Sequence, residues 1–281
     1  MSVAKASEIT LKNSRLHASN PDNPCITTGS PVYSVFSNGT NRYALYQFIG
    51  SGTILSRIGS ITVSYLVIAG GGGGTAGGGG AGGYLESTTT LTGTATTVTV
   101  GAGAAAATSQ TVQGNNGNDS VFGAVTATAG GGGGGTTTLP GRTGGSSGGA
   151  GAGNPTSATA GTVGQGNAGG ACNVNSAGAG GGGSGGAGKD SNITYEGSAG
   201  GIGTLSTITG VDTWRAAGGG GMNQNVLYPQ PTGGKGGGGS ASITANVVNG
   251  AIYTGSGSGA SGNWVVFGAG GSGIVIIRVT L

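Results

Sequence analysis

Gly72, Gly74 and Gly77 follow the apolar run Tyr65-Leu66-Val67-Ile68-Ala69, a G-x-G-x-x-G spacing placed directly after a strand-like segment. That spacing binds a dinucleotide when a helix opens at the glycines, presents its first amides to the pyrophosphate, and is followed about 20 positions on by an acidic residue. Residues 70–83 are almost all glycine, and each interior glycine costs a helix roughly 1 kcal/mol relative to alanine. No helix can start there, and Glu86 comes too early for the ribose. Gly234-Lys235 fails as a phosphate loop. Pro229 stands where the first glycine is needed, and Gly236 stands where a Ser or Thr must reach the magnesium. His17 is the single histidine and lies in a polar stretch, so a Ser-His-Asp unit has no imidazole base elsewhere. Asp190 and Glu196 share one loop with Lys189, which reads as a surface charge cluster rather than a paired acid and base. Cys25 and Cys172 offer neither a disulfide framework nor a zinc spacing and read as free thiols. The residues assemble no enzyme, no metal centre and no cofactor site.

The elements around these residues are built from glycine. The chain has 281 residues, 72 of them glycine, and only five of those precede Tyr65. Such a composition excludes helical folds, and the glycines come in runs, unlike the one-in-three repeat of collagen. A hydrophobic content of 35% with a net charge of only +3 excludes charge-driven disorder. The surplus charge comes from residues 1–64, where Lys5, Lys12, Arg15, Arg42 and Arg57 outnumber Glu8 and Asp22. That is too sparse for a nucleic-acid footprint. No apolar run is long enough to span a membrane as a helix. Met1–Thr10 lacks the basic start and apolar core of a signal peptide.

Residues 1–31 read as an extended N-terminal arm for attachment, punctuated by Asn20-Pro21-Asp22-Asn23-Pro24. Residues 32–69 read as a β base, with strands near 32–36, 43–49, 53–55 and 61–69 and a hairpin turn at Asn38-Gly39. Residues 70–273 hold ten glycine-rich segments with inserted strands near 96–101 and 120–128. Residues 274–281 supply a closing strand, Ile-Val-Ile-Ile-Arg-Val-Thr, expected to pair near Ile61–Ile68. A glycine segment has no side chains to pack, but in polyproline II geometry, with three residues per turn, every amide points outward to a neighbouring helix. The fold class is therefore mainly β and irregular: a small antiparallel β base plus about ten polyglycine II helices, essentially without α-helix.

The frame Tyr65-Leu-Val-Ile-Ala-Gly-Gly-Gly-Gly-Gly, Gly82-Gly83-Tyr84-Leu85, Val98-Thr-Val-Gly-Ala-Gly, Val125-Thr-Ala-Thr-Ala-Gly-Gly-Gly and Gly271-Ser-Gly-Ile-Val-Ile-Ile-Arg resembles the glycine-rich domain of bacteriophage tail-fibre adhesins and related virion proteins. The resemblance covers roughly residues 32–281, and residues 1–31 match no fibre-attachment domain. It implies a sandwich of polyglycine II helices at a fibre tip, whose variable loops bind a protein or glycan on the bacterial outer surface. It also implies a virion location; the arm itself reads as the part that attaches the chain to another virion protein, and both a monomer on a trimeric fibre and a homotrimer are open. No nucleic acid and no membrane insertion are expected. If consecutive segments run antiparallel, the loops at 154–163, 189–196, 222–232 and 263–267 share the far end. The receptor-contact candidates there are Asn192, Tyr195, Met222, Tyr228, Asn263 and Trp264. A change of parity would bring Trp214 and Tyr253 forward instead. The competing function is a capsid or tail decoration protein, or a fibre subunit, with no receptor of its own.

Overall fold

A computed structural model describes residues 23–137, 139–153, 155–243, 248–262 and 266–281. Twelve strands are present and, among the described residues, no α-helix. They are β1 (Cys25–Thr27), β2 (Val32–Asn38), β3 (Asn41–Phe48), β4 (Gly52–Ser56), β5 (Ile61–Ile68), β6 (Tyr84–Leu91), β7 (Thr96–Thr99), β8 (Ser120–Phe122), β9 (Val125–Ala127), β10 (Thr204–Ser206), β11 (Thr213–Arg215) and β12 (Ile274–Thr280). Two five-stranded antiparallel sheets, ordered β2-β3-β12-β5-β6 and β1-β4-β7-β8-β9, accompany a two-stranded ribbon, β10-β11.

The two large sheets pack face to face. Strand alternation sends Ala44, Tyr46 and Phe48 of β3, Val63, Tyr65 and Val67 of β5, and Val275, Ile277 and Val279 of β12 to one side. There they meet Cys25, Ile54, Val98, Phe122 and Ala127 from the other sheet. Tyr65 and Phe122 meet edge-on with ring centroids 5.6 Å apart. The opposite face of the first sheet buries Leu45, Leu66, Ile68, Ile274 and Ile276 under Ile208, Ala81 and Ala216 of the ribbon and bundle. β12 is thus buried on both faces, which explains its unbroken Ile-Val-Ile-Ile run. The burial is interrupted at Arg278, which lies 5.1 Å over the Tyr43 ring. The closing strand pairs with β5 in the expected place (Ile277 opposite Tyr65) and also with β3 (Ile277 opposite Tyr46).

Residues 77–82 show what the glycines build. Their amides donate in turn to the carbonyls of Gly134, Ala179, Ser258, Gly131, Gly182 and Gly255, at 2.8 to 3.0 Å. The partner segment repeats every third residue, as in a polyglycine II helix. The carbonyls of Gly77 to Ala81 accept from three further segments, at Thr75 and Gly72, at Gly149 and Ser146, and at Gly219. One helix therefore has six hydrogen-bonded neighbours. Residues 178–183 repeat the rule, donating to Met222, Ala150, Lys189, Gly219, Ser147 and Gly186. The buried backbone groups are satisfied between helices, so the interior needs almost no side chains.

Four sequence expectations are modified. The strand β1 falls inside the expected arm: Cys25–Thr27 pairs with Ser56–Ile54 of β4, and Gly29 (φ 75°) and Ser30 (φ 49°) turn the chain into β2. The polar, proline-flanked context conceals this three-residue edge strand, and residues 1–22 lie outside the described residues. The β base is two sheets rather than one, because Tyr84–Leu91, rich in Ser and Thr, adds an edge strand to the first while β4 leaves to join the second. Glycine blocks also fold back within themselves. Gly72 donates to Gly80 around a turn at Thr75, and Gly180 donates to Lys189 around a turn near Ser184. A block therefore counts as more than one helix. The hairpin at Asn38-Gly39 forms one residue later than the signal suggests, with Asn38 opposite Asn41 and Gly39 alone at positive φ (64°), as a type II′ turn requires.

The Cys25 thiol, buried between the sheets, is pushed up to about 11 from 9.0 by burial, partly offset by its hydrogen bond with Tyr46. Burial also raises the Tyr46 hydroxyl, whose partner is the Asn23 side-chain oxygen. Both groups fold as neutral acids. The Cys25 contribution is fully present below the unfolded thiol's pKa of about 9 and is lost as pH rises through 11, whereas that of Tyr46 begins to fall only above the ordinary phenol value of 10.0 and continues to fall beyond pH 11. The urea midpoint should hold steady up to pH 9 and then fall, with Cys25 accounting for about 2 kcal/mol by pH 11. Cys25→Val should flatten the first part of that fall. Equal slopes in the variant and the wild type would refute the assignment.

Candidate binding surface at the far end of the bundle

The end of the bundle remote from the sheets is closed by loops tied to one another through backbone. Cys172 bridges Thr156 on one side and Ser191 on the other, and the Gln224 amide donates to the Tyr195 carbonyl at 3.2 Å. The segments at 155–157, 191–196 and 222–228 therefore meet at one end, whereas residues 159–162 return along the bundle to Gly141 and Gly144. Trp214 and Tyr253 stand at the opposite end. Trp214 lies in the ribbon beneath Lys235, whose ammonium is 4.5 Å from its ring, and the Tyr253 amide donates to Ser272 beside β12.

The predicted contact residues divide. Tyr195 is 48% exposed and holds φ of 68°, a left-handed conformation that costs a non-glycine residue roughly 1 kcal/mol. Asn192 is exposed, and its side-chain oxygen accepts from Asn173 at 2.7 Å. Tyr228 is half-buried. Met222 is fully buried among Ala76, Ala152, Ala241 and Ala260, with its sulfur 2.9 Å from the Gln110 amide nitrogen. It is not a contact residue. Met222 fills the space left where the glycine lattice ends, a task suited to a flexible apolar side chain. Asn263 and Trp264 lie outside the described residues.

The residues that sequence reasoning misses are aliphatic. Leu227 is 85% exposed, Val226 76% and Ile193 53%, on the two loops joined through Tyr195 and Gln224. No periodicity marks them, since they stand singly in irregular loops. The amide-rich run Met222–Thr232 carries no charge. Two depressions are lined by these loops. One, of about 460 Å³, is lined by Thr136, Asn175, Ser176, Tyr195 and Gln224. The other, of about 380 Å³, lies between Lys189, Glu196 and the Pro229–Thr232 segment. Gln230 lines the second and holds a buried side-chain oxygen without a hydrogen-bond partner. Amides, hydroxyls and a tyrosine around shallow depressions suit hydroxylated or amide-bearing ligands through hydrogen bonds and ring contact.

The family model described as the glycine-rich domain matches residues 50–280. The chain belongs to that family. No curated protein and no solved structure matches it. The match begins just before β4 and ends at the last residue of β12, so the glycine-rich domain takes in the bundle, the second sheet apart from β1, and strands β5, β6 and β12 of the first sheet. Asp190 accepts from the Ala171 amide at 2.7 Å, and burial raises the Cys172 thiol. Among the described residues no three His, Cys, Asp or Glu side chains gather to hold a metal. No helix among them is long and apolar enough to cross a membrane. His17 lies outside the described residues.

Proposed function

We propose that this glycine-rich domain is the receptor-binding adhesin of a bacteriophage virion, a non-enzymatic protein that engages a bacterial outer-surface protein or glycan through its far-end loops. The observation that carries the reading is the presence of exposed Tyr195, Ile193, Val226 and Leu227 on two joined loops at one end of a bundle held mainly by backbone bonds. Helix contacts that use only backbone leave loop sequence free to change, and rigid scaffolds with adaptable loops are how recognition surfaces are commonly made. A lone exposed aliphatic side chain needs no explanation, but four large exposed side chains on two loops joined by a backbone bond offer a partner apolar area to cover. The amides and hydroxyls that line the tip depressions and the resemblance of the strand-glycine frame to tail-fibre adhesins support the same reading.

Burying a leucine side chain on binding is worth about 1.5–3 kcal/mol, or about ten- to a hundredfold in affinity. Virions carrying Leu227→Asp with Val226→Asp should therefore adsorb to their host at least tenfold more slowly, while the melting temperature of the purified chain stays within about 2 °C of wild type. Replacement of Met222–Thr232 by a Gly-Ser loop should abolish adsorption. If both changes left adsorption intact in particles that still contain the protein, the receptor reading would fail and a purely structural virion role would take its place.

A further inference from the structure

We propose that the cleft between β2–β3 and the β10–β11 ribbon is a binding site for a carboxylate carried on a small apolar body. The cleft, of about 240 Å³, lies at the sheet end of the molecule, away from the loops of the far end, and Val211, 53% exposed, is part of its lining. Its walls are mainly apolar, with Val35, Phe36, Leu45 and Val211 among the lining residues, and Thr209 and Thr213 contribute hydroxyls. Arg215 also lines it. This arginine is only 7% exposed, and its Nη1 is buried without a hydrogen-bond partner.

An arginine in such a place needs an explanation, because buried polar groups are ordinarily paired. Glu86 offsets the burial of the guanidinium only in part: it accepts from the Ser206 hydroxyl through Oε1 and from the Tyr84 hydroxyl through Oε2, and Arg215 Nη1 is left without a hydrogen bond. Burial lowers the Arg215 pKa, with Tyr84 and Glu86 offsetting this only in part. Guanidinium recognises a carboxylate through paired N–H donors in a fixed plane. The apolar walls favour a singly charged ligand with a hydrocarbon portion over phosphate or sulfate, which need several donors and cations. Two sources share this chemistry: a free short branched-chain acid and the C-terminal residue of a polypeptide ending in an aliphatic side chain.

The test uses the full chain and ligand-observed saturation-transfer NMR. Its probes are 3-methylbutanoate, the neutral 3-methylbutanamide, and a pentapeptide ending in valine with either a free or an amidated C-terminus. Saturable binding is expected for the acid, the free-carboxylate peptide or both, which identifies the source. The amides should bind about tenfold more weakly or not at all. Arg215→Met should remove the preference for the acid form. Val211→Trp, at an exposed lining position, should block the cleft without touching the arginine, so the question is answered even if the buried substitution impairs folding. Absence of saturable binding by both carboxylate probes, equal binding of acid and amide, or unchanged binding in Val211→Trp would each overturn the proposal.

Discussion

Gly78→Val should leave the chain unable to form its bundle. The Gly78 amide donates to Ala179 at 3.0 Å, and its carbonyl accepts from Gly149 at 2.9 Å. A Cβ at this position would stand 2.1 Å from the Gly219 carbonyl oxygen and 2.6 Å from its carbon, where non-bonded heavy atoms need about 3.5 Å. The obstacle is backbone, so no rotamer change relieves it. The helix would have to move by more than an ångström within a ring of six hydrogen-bonded neighbours. Each buried donor or acceptor left unpaired costs about 1–3 kcal/mol. Losing a handful exceeds much of the roughly 5–15 kcal/mol that holds a typical domain together. Gly50→Ala is the control. Nothing lies within 4 Å of where its Cβ would stand, and its φ is not in the left-handed region, so stability should change by no more than about 0.5 kcal/mol. Thermal and urea unfolding read both variants. A Gly78→Val protein melting within a few degrees of wild type would mean that the bundle tolerates displacement and that the close contacts are not what requires glycine.

The same physics explains where side chains do enter the lattice. Ala81 is buried against Ile208 and Ala216, at the end of the helices where the ribbon begins. Ser258 sits fully buried because its hydroxyl oxygen accepts the Gly74 amide at 2.7 Å, standing in for a backbone carbonyl. At these two positions an Ala or Ser within a glycine run marks a place where the lattice ends or a backbone bond is replaced.

This limits what the sequence can disclose. The β2–β3 hairpin and the pairing of Ile274–Thr280 with Ile61–Ile68 are legible, since alternation and a continuous apolar run carry strand signals without help from distant residues. The strand Tyr84–Leu91 is not, because a run of Ser and Thr suits a half-exposed edge as well as a loop. The fold-back of residues 70–83 is hidden for a related reason: a glycine turn and a glycine helix have the same composition. At the far end, Asn192 and Tyr195 are reachable from residue type, yet Met222 reads as outward-facing although it plugs the lattice end. Leu227 and Val226 escape notice because exposure in an irregular loop has no periodic mark. Arg215 gives no signal at all. Its isolation depends on a ribbon and a sheet edge brought together from residues far apart in the chain.

Deletion of residues 274–281 should have the largest effect of any change considered. β12 lies between β3 and β5, with six paired residues on each side. Ile274, Val275, Ile276, Ile277 and Val279 are each no more than 3% exposed. At about 1.5–3 kcal/mol per buried aliphatic side chain, their removal matches the whole stability of an ordinary domain. It also splits the first sheet into two ribbons with bare edges at β3 and β5, a template for aggregation. Because β12 is the last strand, the sheet that begins at Val32 stays open until the final residues of the domain arrive. Folding should therefore be slow, as for other folds dominated by contacts between distant residues. The truncated chain should be insoluble when produced alone, and a synthetic peptide spanning 272–281 added during refolding should restore soluble, cooperatively melting protein. Ile277→Asp should reproduce the loss, since it puts a carboxylate into the fully buried, apolar space between the sheets, beside Tyr46 and Tyr65. A truncated chain that stays soluble and melts cooperatively would show that the bundle and the second sheet fold without the closing strand, and that the first sheet is an accessory to them rather than their foundation.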